Sequence, residues 1–306
     1  MSNGTDEGNT EVDYHLDSDP PQPTRDPHEV PVYYRPESQL EIQLAHSAMT
    51  RQFTVVRPIT PFTTSQVLLV RETNNPGGGE IVLKIYDPRF MVNVRRVIKR
   101  TWDPEVEARS VELRQMNPIP DAFAGLPNFC ALKKPEELEN YVFLRARSDF
   151  ASELKAYRQL QPLQGKGLPR LFGHGTLTSA SMLPDGQPRY INPSALILEF
   201  VPNSTPLRDA DPAMLRPDLI RSLLETVDSF HTFNVIHADP NPGNILFSPD
   251  RAVIIDFGEA YFRSEEESDE DWANAVFDEG DLRWCKIWIT KRLGVESLDD
   301  YLSTVV

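Results

Sequence analysis

Cysteine is nearly absent from this chain. Cys130 and Cys285 are the only two and stand far apart, so they form neither a disulfide framework nor a cysteine metal cluster, a pattern that points to a reducing compartment. Long apolar runs are missing too. The clean ones, such as 195–198, fall far short of the roughly 20 residues a membrane helix needs, which excludes a membrane-spanning helix. The acidic amino-terminal stretch has no apolar h-region, which predicts no signal peptide and an intracellular protein, cytoplasmic or nuclear. No basic stripe appears, so the composition speaks against nucleic-acid binding. Asn203-Ser204-Thr205 matches a glycosylation sequon, but without a secretory route it reads as chance. No internal repeat is visible.

What is present is an ordinary globular composition. The 306 residues are 40% hydrophobic and 25% charged, enough for one large core or two small lobes. The net charge of −15 is unevenly spread: residues 1–50 hold ten acids against Arg25 and Arg35, and residues 265–281 hold nine acids and no base. The rest is close to neutral, and both acidic stretches read as solvated, mobile polypeptide. Residues 1–47, rich in Pro, Asp and Thr, read as a disordered tail. From Phe53 short β-branched runs predict strands at 53–59, 65–72 and 80–87, with a Gly-rich hairpin loop at 74–79. Phe150, Leu154, Tyr157 and Leu160 share one helical face. Further strands are predicted at 170–178 and 195–201. A helix is predicted at 217–233, with Pro217 in its first turn and Leu219, Leu223, Val227 and Phe230 on its apolar face. The region 91–149, with basic residues Arg95, Arg96, Lys99 and Arg100, has no clear assignment.

The chemistry concentrates in residues 235–260, VIHADPNPGNILFSPDRAVIIDFGEA. Asp239 and Asn244 are five apart, and Asn244 and Asp256 twelve apart, with a strand–turn–strand between them. A carboxylate able to orient or deprotonate a hydroxyl, beside an amide and a second carboxylate able to hold Mg²⁺ through oxygen, suits a metal-bound triphosphate.

His237-Ala238-Asp239, Asn244 and Asp256-Phe257-Gly258 resemble the catalytic loop and DFG segment of the protein-kinase superfamily. The HADPNPGN form resembles the HGDxxPxN-type loops of aminoglycoside and choline phosphotransferases, and of fungal protein-kinase-like proteins, more than it resembles HRDLKPEN. The phrase KIYDPRF at 84–90 and the acidic ending with Asp271-Trp272 also look like that fungal group. The resemblance implies an α+β, bilobal protein-kinase-like fold: a small antiparallel β-sheet N-lobe at 48–202 with an insertion at about 91–149, and a mainly helical, shortened C-lobe at 203–306. It implies ATP and Mg²⁺. Asp239 would act on the acceptor hydroxyl, Asn244 and Asp256 on the metal, and Lys84 on the phosphates. Glu153 is the expected partner of Lys84, although 69 residues separate them; Glu105, Glu107 and Glu112 are rivals. Val67 and Val82 would cover the adenine and Leu246 support it from below, while backbone groups of Glu199 and Val201 would bond its edge. His237 would hold the loop backbone, and His231 would pack in the core.

The departures carry equal weight. The phosphate-covering segment 59–65 has no glycine, where backbone amides normally approach phosphate. Ala238 stands where an Arg usually precedes the catalytic Asp, and Asn241 stands where a Lys is expected, so a different cation, or none, faces the transferring phosphoryl group. Only 48 residues follow Gly258, with Trp272, Trp284 and Trp288 suggesting one or two helices. Three readings stay open: a phosphotransferase acting on a hydroxyl, with Ser/Thr protein as acceptor; the same chemistry on a small molecule; and a nucleotide-binding pseudokinase or scaffold.

Overall fold

A computed structural model describes residues 28–45, 47–75, 77–117, 121–178 and 191–304. The first 27 residues of the expected tail lie outside the described residues, as do Pro76 in the hairpin loop and residues 118–120 and 179–190.

Six antiparallel strands close into a barrel. They are β1 (Gln39–Leu44), β2 (Thr50–Ile59), β3 (Gln66–Glu72), β4 (Glu80–Tyr86), β5 (Leu171–Leu177) and β6 (Ser194–Glu199), in the order β1-β2-β3-β4-β6-β5 with β5 returning to β1. Side chains alternate along each strand. Leu40, Ile42, Phe53, Val55, Leu68, Val70, Leu83, Ile85, Leu177, Ala195 and Ile197 fill the interior. Closure depends on Gly175, which faces Leu44 across the β1–β5 seam. A Cβ there would lie 2.1 Å from the carbonyl oxygen of Gln43, so only glycine lets the two strands approach.

Between β4 and β5 come three helices: α1 (Val92–Val97), α2 (Pro104–Met116) and the 25-residue α3 (Pro135–Gln159). Asp103 caps α2 by accepting the Glu105 and Val106 N–H groups at 2.8 and 3.1 Å, which satisfies donors a helix start leaves free. α3 opens with Pro135 in its first turn, and Glu137 accepts the Lys134 N–H at 3.2 Å. Arg95, read from sequence as part of a basic patch, is buried and makes a two-pronged bond to Glu139 at 2.7 and 2.9 Å, tying α1 to α3.

After β6 the chain forms β7 (Thr205–Pro206), α4 (Pro217–Ser229) with a 3₁₀ turn at Phe230–Phe233, β8 (Val235–Ile236), β9 (Ile245–Phe247), β10 (Ala252–Ile254) and β11 (Tyr261–Phe262). Strands β10, β9 and β7 make one small sheet, and β11 pairs with β8. Helices α5 (Asp269–Glu279), α6 (Asp281–Leu293) and α7 (Leu298–Thr304) follow.

The bilobal protein-kinase-like fold expected from the motifs is corrected here. The amino-terminal sheet is a closed barrel and not a small open sheet. The second core is not confined to a carboxy-terminal lobe either. It runs without a break from Tyr86, Leu196 and Leu198 on the outer barrel face, through Val142, Leu154 and Tyr157 of α3, to Leu219 and Leu223 of α4 and Ile289 of α6. The physical reason is α3, which packs on β4 and β6 of the barrel and meets Phe257 of the later chain through Tyr157. Beyond 202 the chain is mainly helical, with four α-helices and five strands of only two or three residues, but it shares its core with the barrel and is not a separate lobe.

Three further readings change. The stretch 28–45 is part of the barrel domain, since it supplies β1 and the fully buried Tyr34. Helix α3 begins at Pro135, fifteen residues before the 150–160 face that marked it. His231 is exposed and not a core residue.

Candidate functional site

Two adjoining cavities lie between the barrel and the β9–β10 hairpin. The larger, about 830 Å³, is lined by Val67, Val82, Lys84, Glu153, Glu199, Val201, Leu246 and Asp256 among others. The smaller, about 460 Å³, is lined by residues that include Asp149, Asp239, Asn241, Asn244 and Asp256. Lys84, Glu153, Val67, Val82, Glu199, Val201, Leu246, Asp239, Asn244 and Asp256, the residues given catalytic, nucleotide or metal roles, therefore line one cavity or the other, and Asp256 borders both.

Lys84 sits at the centre. Strand alternation sends its neighbours Leu83 and Ile85 into the barrel and turns Lys84 outward, towards α3. Its Nζ meets Glu153 Oε2 at 2.5 Å and Asp256 Oδ1 at 2.6 Å. The pairing goes to Glu153, not to Glu105, Glu107 or Glu112 of α2. Tyr86, which the motifs did not flag, donates its hydroxyl to the same Glu153 oxygen at 2.5 Å. Lys84 is 5% and Glu153 1% exposed, so neither has water as an alternative partner. Burial alone would lower the Lys84 pKa, but the carboxylates of Asp256 and Glu153 raise it well above the ordinary lysine value. Burial pushes the Glu153 carboxyl up against the pull of Lys84. For Asp256 burial also acts upward, yet the Lys84 ammonium and a Gly258 N–H hold it below the usual carboxylate range. Lys84 is thus a fixed cation and Asp256 a fixed anion.

The loop carrying Asp239 is built by backbone bonds. His237 Nε2 lies 3.0 Å from the Ile255 carbonyl, and Nδ1 accepts the Asp239 N–H at 3.2 Å. With Nδ1 accepting and Nε2 facing a carbonyl, His237 bridges the loop and the hairpin. The Asp281 carboxylate accepts the His237 N–H at 2.6 Å and the Ala238 N–H at 3.0 Å. Asp281 belongs to the acidic stretch read as solvated and mobile. Instead it is 9% exposed, and that stretch forms α5, capped by Ser268, and the start of α6. Its three first-turn acids, Asp269, Glu270 and Asp271, suit the positive end of α5.

Asp239 accepts from Asn241 Nδ2 at 3.0 Å to each carboxylate oxygen, and from Asn244 Nδ2 at 3.1 Å. Asn244 Nδ2 also reaches the Asp239 carbonyl at 3.0 Å. Both donors of Asn244 thus face the loop, which turns its amide oxygen the other way. Asn241 Oδ1 accepts the Gly243 N–H at 2.8 Å. Asn241 is a brace for Asp239 and not a cation substitute.

Ala238 and Asp256 both have left-handed backbone, at φ 62° and 69°. Such conformations cost of order 1–3 kcal/mol for residues other than glycine and persist only where neighbours enforce them. Asp281 does so for Ala238. For Asp256 the anchor is Phe257, fully buried and in ring contact with His237, Tyr157 and Phe230 at centroid distances of 4.6, 5.8 and 5.7 Å. Helix α3 therefore holds Lys84 through Glu153 and Asp256 through Tyr157.

The glycine-free segment is also explained by packing. Phe62 is 1% exposed and joins the barrel core, with Tyr34 edge-on to it at 6.4 Å. Thr60, Thr63, Thr64 and Ser65 border the smaller cavity. The segment is pinned by an aromatic side chain, with hydroxyl-bearing residues beside the space where a flexible glycine loop would present amides.

At the opposite wall the Glu199 N–H donates to the Arg170 carbonyl at 2.8 Å, and the Val201 carbonyl accepts from Ser204 Oγ at 2.8 Å. The Glu199 side chain is engaged by Arg251 at 2.7 Å. Among the described residues no cluster of three or more His, Cys, Asp or Glu is arranged as a ready metal site. Asp149, one turn before Glu153 on α3, is the other residue the motifs missed. It is 4% exposed and burial pushes its carboxyl up to about 7, with Arg145 opposing. No residue-type pattern marks Asp149, Asp281 or Tyr86 in the sequence; only the fold brings them to the site. Among the described residues no helix is long and apolar enough to cross a membrane. No family model matches the chain. No curated protein matches it either.

Proposed function

We propose that the protein is an ATP- and Mg²⁺-dependent phosphotransferase that uses protein-kinase-like chemistry to phosphorylate a hydroxyl, with Ser or Thr of a protein as the acceptor. The observation that carries this reading is the junction of the two cavities, where Lys84 bridges Glu153 and Asp256 while Asp239 and Asn244 line the adjoining space.

The larger cavity has the size and mixed wall of a nucleotide pocket, apolar along Val67, Val82 and Leu246 with few polar anchors. The wall at 199–201 offers an adenine edge the Val201 N–H and carbonyl acceptors but not the Glu199 N–H, which is committed to the Arg170 carbonyl. Lys84, locked in place and charged, suits phosphate oxygens. The donor set fits Mg²⁺, which takes one or two protein oxygens and completes its shell with phosphate and water. Asp256 is an ionised carboxylate, and Asn244 turns its oxygen away from the loop. The metal, when bound by Asn244 and Asp256, supplies neutralisation of phosphate charge. Asp239, braced by Asn241 and Asn244, orients the acceptor hydroxyl and takes its proton as the oxygen bonds to the terminal phosphorus and the bond from that phosphorus to the bridging oxygen breaks, with ADP as the leaving group. Catalysis on this plan is positioning and charge complementarity.

A second reading, nucleotide binding without transfer, is favoured by the glycine-free segment fastened through Phe62. The test is ATP turnover with Mg²⁺ by wild type and Asp239→Asn, alongside thermal unfolding with Mg²⁺-ATP, which raises the melting temperature of a protein that binds it. Turnover lost in Asp239→Asn with the thermal shift retained supports transfer. A thermal shift with no turnover in wild type supports the second reading, and neither response contradicts both.

A further inference from the structure

We infer that Arg208 contacts the terminal phosphate of a bound nucleoside triphosphate, a role that rests on the nucleotide reading above and fills the position left by Asn241. Arg208 follows β7 and lines both cavities, at the same junction as Asp256. Among the described residues lining the smaller cavity it is the one base, against four acids, of which Asp149 and Glu259 are paired with Arg145 while Asp239 and Asp256 face the junction. A triphosphate entering that acidic space needs a cation besides Lys84, and Asn241 cannot serve because its amide is committed to Asp239 and Gly243.

Three features place the guanidinium. The Arg208 N–H donates to the Pro242 carbonyl at 3.1 Å, which fixes its backbone to the catalytic loop. A Cβ on Gly243 would lie 2.9 Å from Arg208 Nη1, so glycine at 243 leaves the space the side chain occupies. The ion pair of Arg208 with Asp209 uses Nε, at 3.2 Å, and both side chains are more than half exposed. That contact is weak and leaves the outer face of the planar fork for a phosphate, which it matches in a two-pronged geometry. No pattern in the sequence announces this residue, because it lies 31 positions before Asp239 and reaches the site only through the β7–β9 pairing.

The experiment is isothermal titration of the full chain with ATP and with ADP in Mg²⁺, for wild type, Arg208→Ala and Arg208→Lys. Because the side chain is largely exposed, the unliganded melting temperature should be unchanged in both variants. Wild type should bind ATP more tightly than ADP. Arg208→Ala should weaken ATP binding ~10- to 100-fold, the worth of a charge-assisted phosphate contact, with ADP binding within about twofold of wild type. Arg208→Lys should recover part of the loss. An ATP-to-ADP ratio equal in wild type and Arg208→Ala overturns the inference and leaves the nucleotide site standing. Binding of neither nucleotide by wild type overturns both.

Discussion

Asp281 Oδ1 accepts the backbone N–H of Ala238 at 3.0 Å, and Ala238 is held at φ 62°. The other oxygen of the same carboxylate accepts the His237 N–H at 2.6 Å. One side chain from the first turn of α6 thus fixes the strained backbone that delivers Asp239 to the cavity. Asp281→Ala strands the buried His237 N–H and the partly buried Ala238 N–H and should destabilise the protein by about 3 kcal/mol, since bonds to charged groups are worth roughly 1.5–3 kcal/mol each. Urea unfolding measures this. A change below roughly 0.5 kcal/mol, the range of ordinary surface substitutions, would show that the loop does not depend on Asp281.

Closure of the barrel rests on Gly175. Gly175→Val must push β1 away from β5, because a Cβ there would meet the Gln43 carbonyl at 2.1 Å. The expected loss is about 3 kcal/mol or more, in line with overpacking of backbone against backbone. Gly77→Ala is the control, as a Cβ at that position meets nothing within 4 Å. Equal melting temperatures for the two variants would contradict a closed seam.

Asp149 makes stability depend on pH. Its carboxyl is raised from the ordinary 3.8 to about 7, chiefly by burial. The folded state therefore holds a proton that the unfolded chain gives up. The stabilising contribution is complete below 3.8 and is lost as pH rises through about 7. Asp149→Asn has no such proton to lose. Relative to wild type it should gain roughly 2–3 kcal/mol between pH 5 and pH 8. Melting curves of both proteins at the two pH values test this, and a constant difference would mean that Asp149 ionises as freely in the fold as outside it.

The residues of the site were more legible in sequence than the architecture around them. Local spacing is enough to mark Asp239, Asn244 and Asp256, because one hairpin carries all three. Strand alternation points Lys84 away from the barrel interior, and helical periodicity marks the face of α3 that bears Tyr157. What sequence spacing does not carry is closure. β1 lies in a segment whose Pro and acidic content resembles a tail, and its pairing with β5 spans more than a hundred residues through a single close approach at Gly175. The acidic run at 265–281 misleads for a related reason. Its composition is that of solvated chain, yet helix capping and one inward carboxylate, Asp281, make it structural. Arg208 and Asp149 are isolated in sequence and acquire meaning only from the cavity they share.

The central claim is a nucleotide–metal site at the Lys84–Asp256 junction. The most direct measurement is the equilibrium binding of ATP, with and without Mg²⁺, to wild type and Asp256→Asn, a substitution that keeps the side-chain shape and tolerates left-handed backbone. The account predicts that Mg²⁺ tightens ATP binding to wild type by about tenfold or more and has little effect on Asp256→Asn, since one charged ligand contact is worth about 1.4 kcal/mol or more. ATP binding that is absent from wild type, or that responds to Mg²⁺ equally in both proteins, would contradict it.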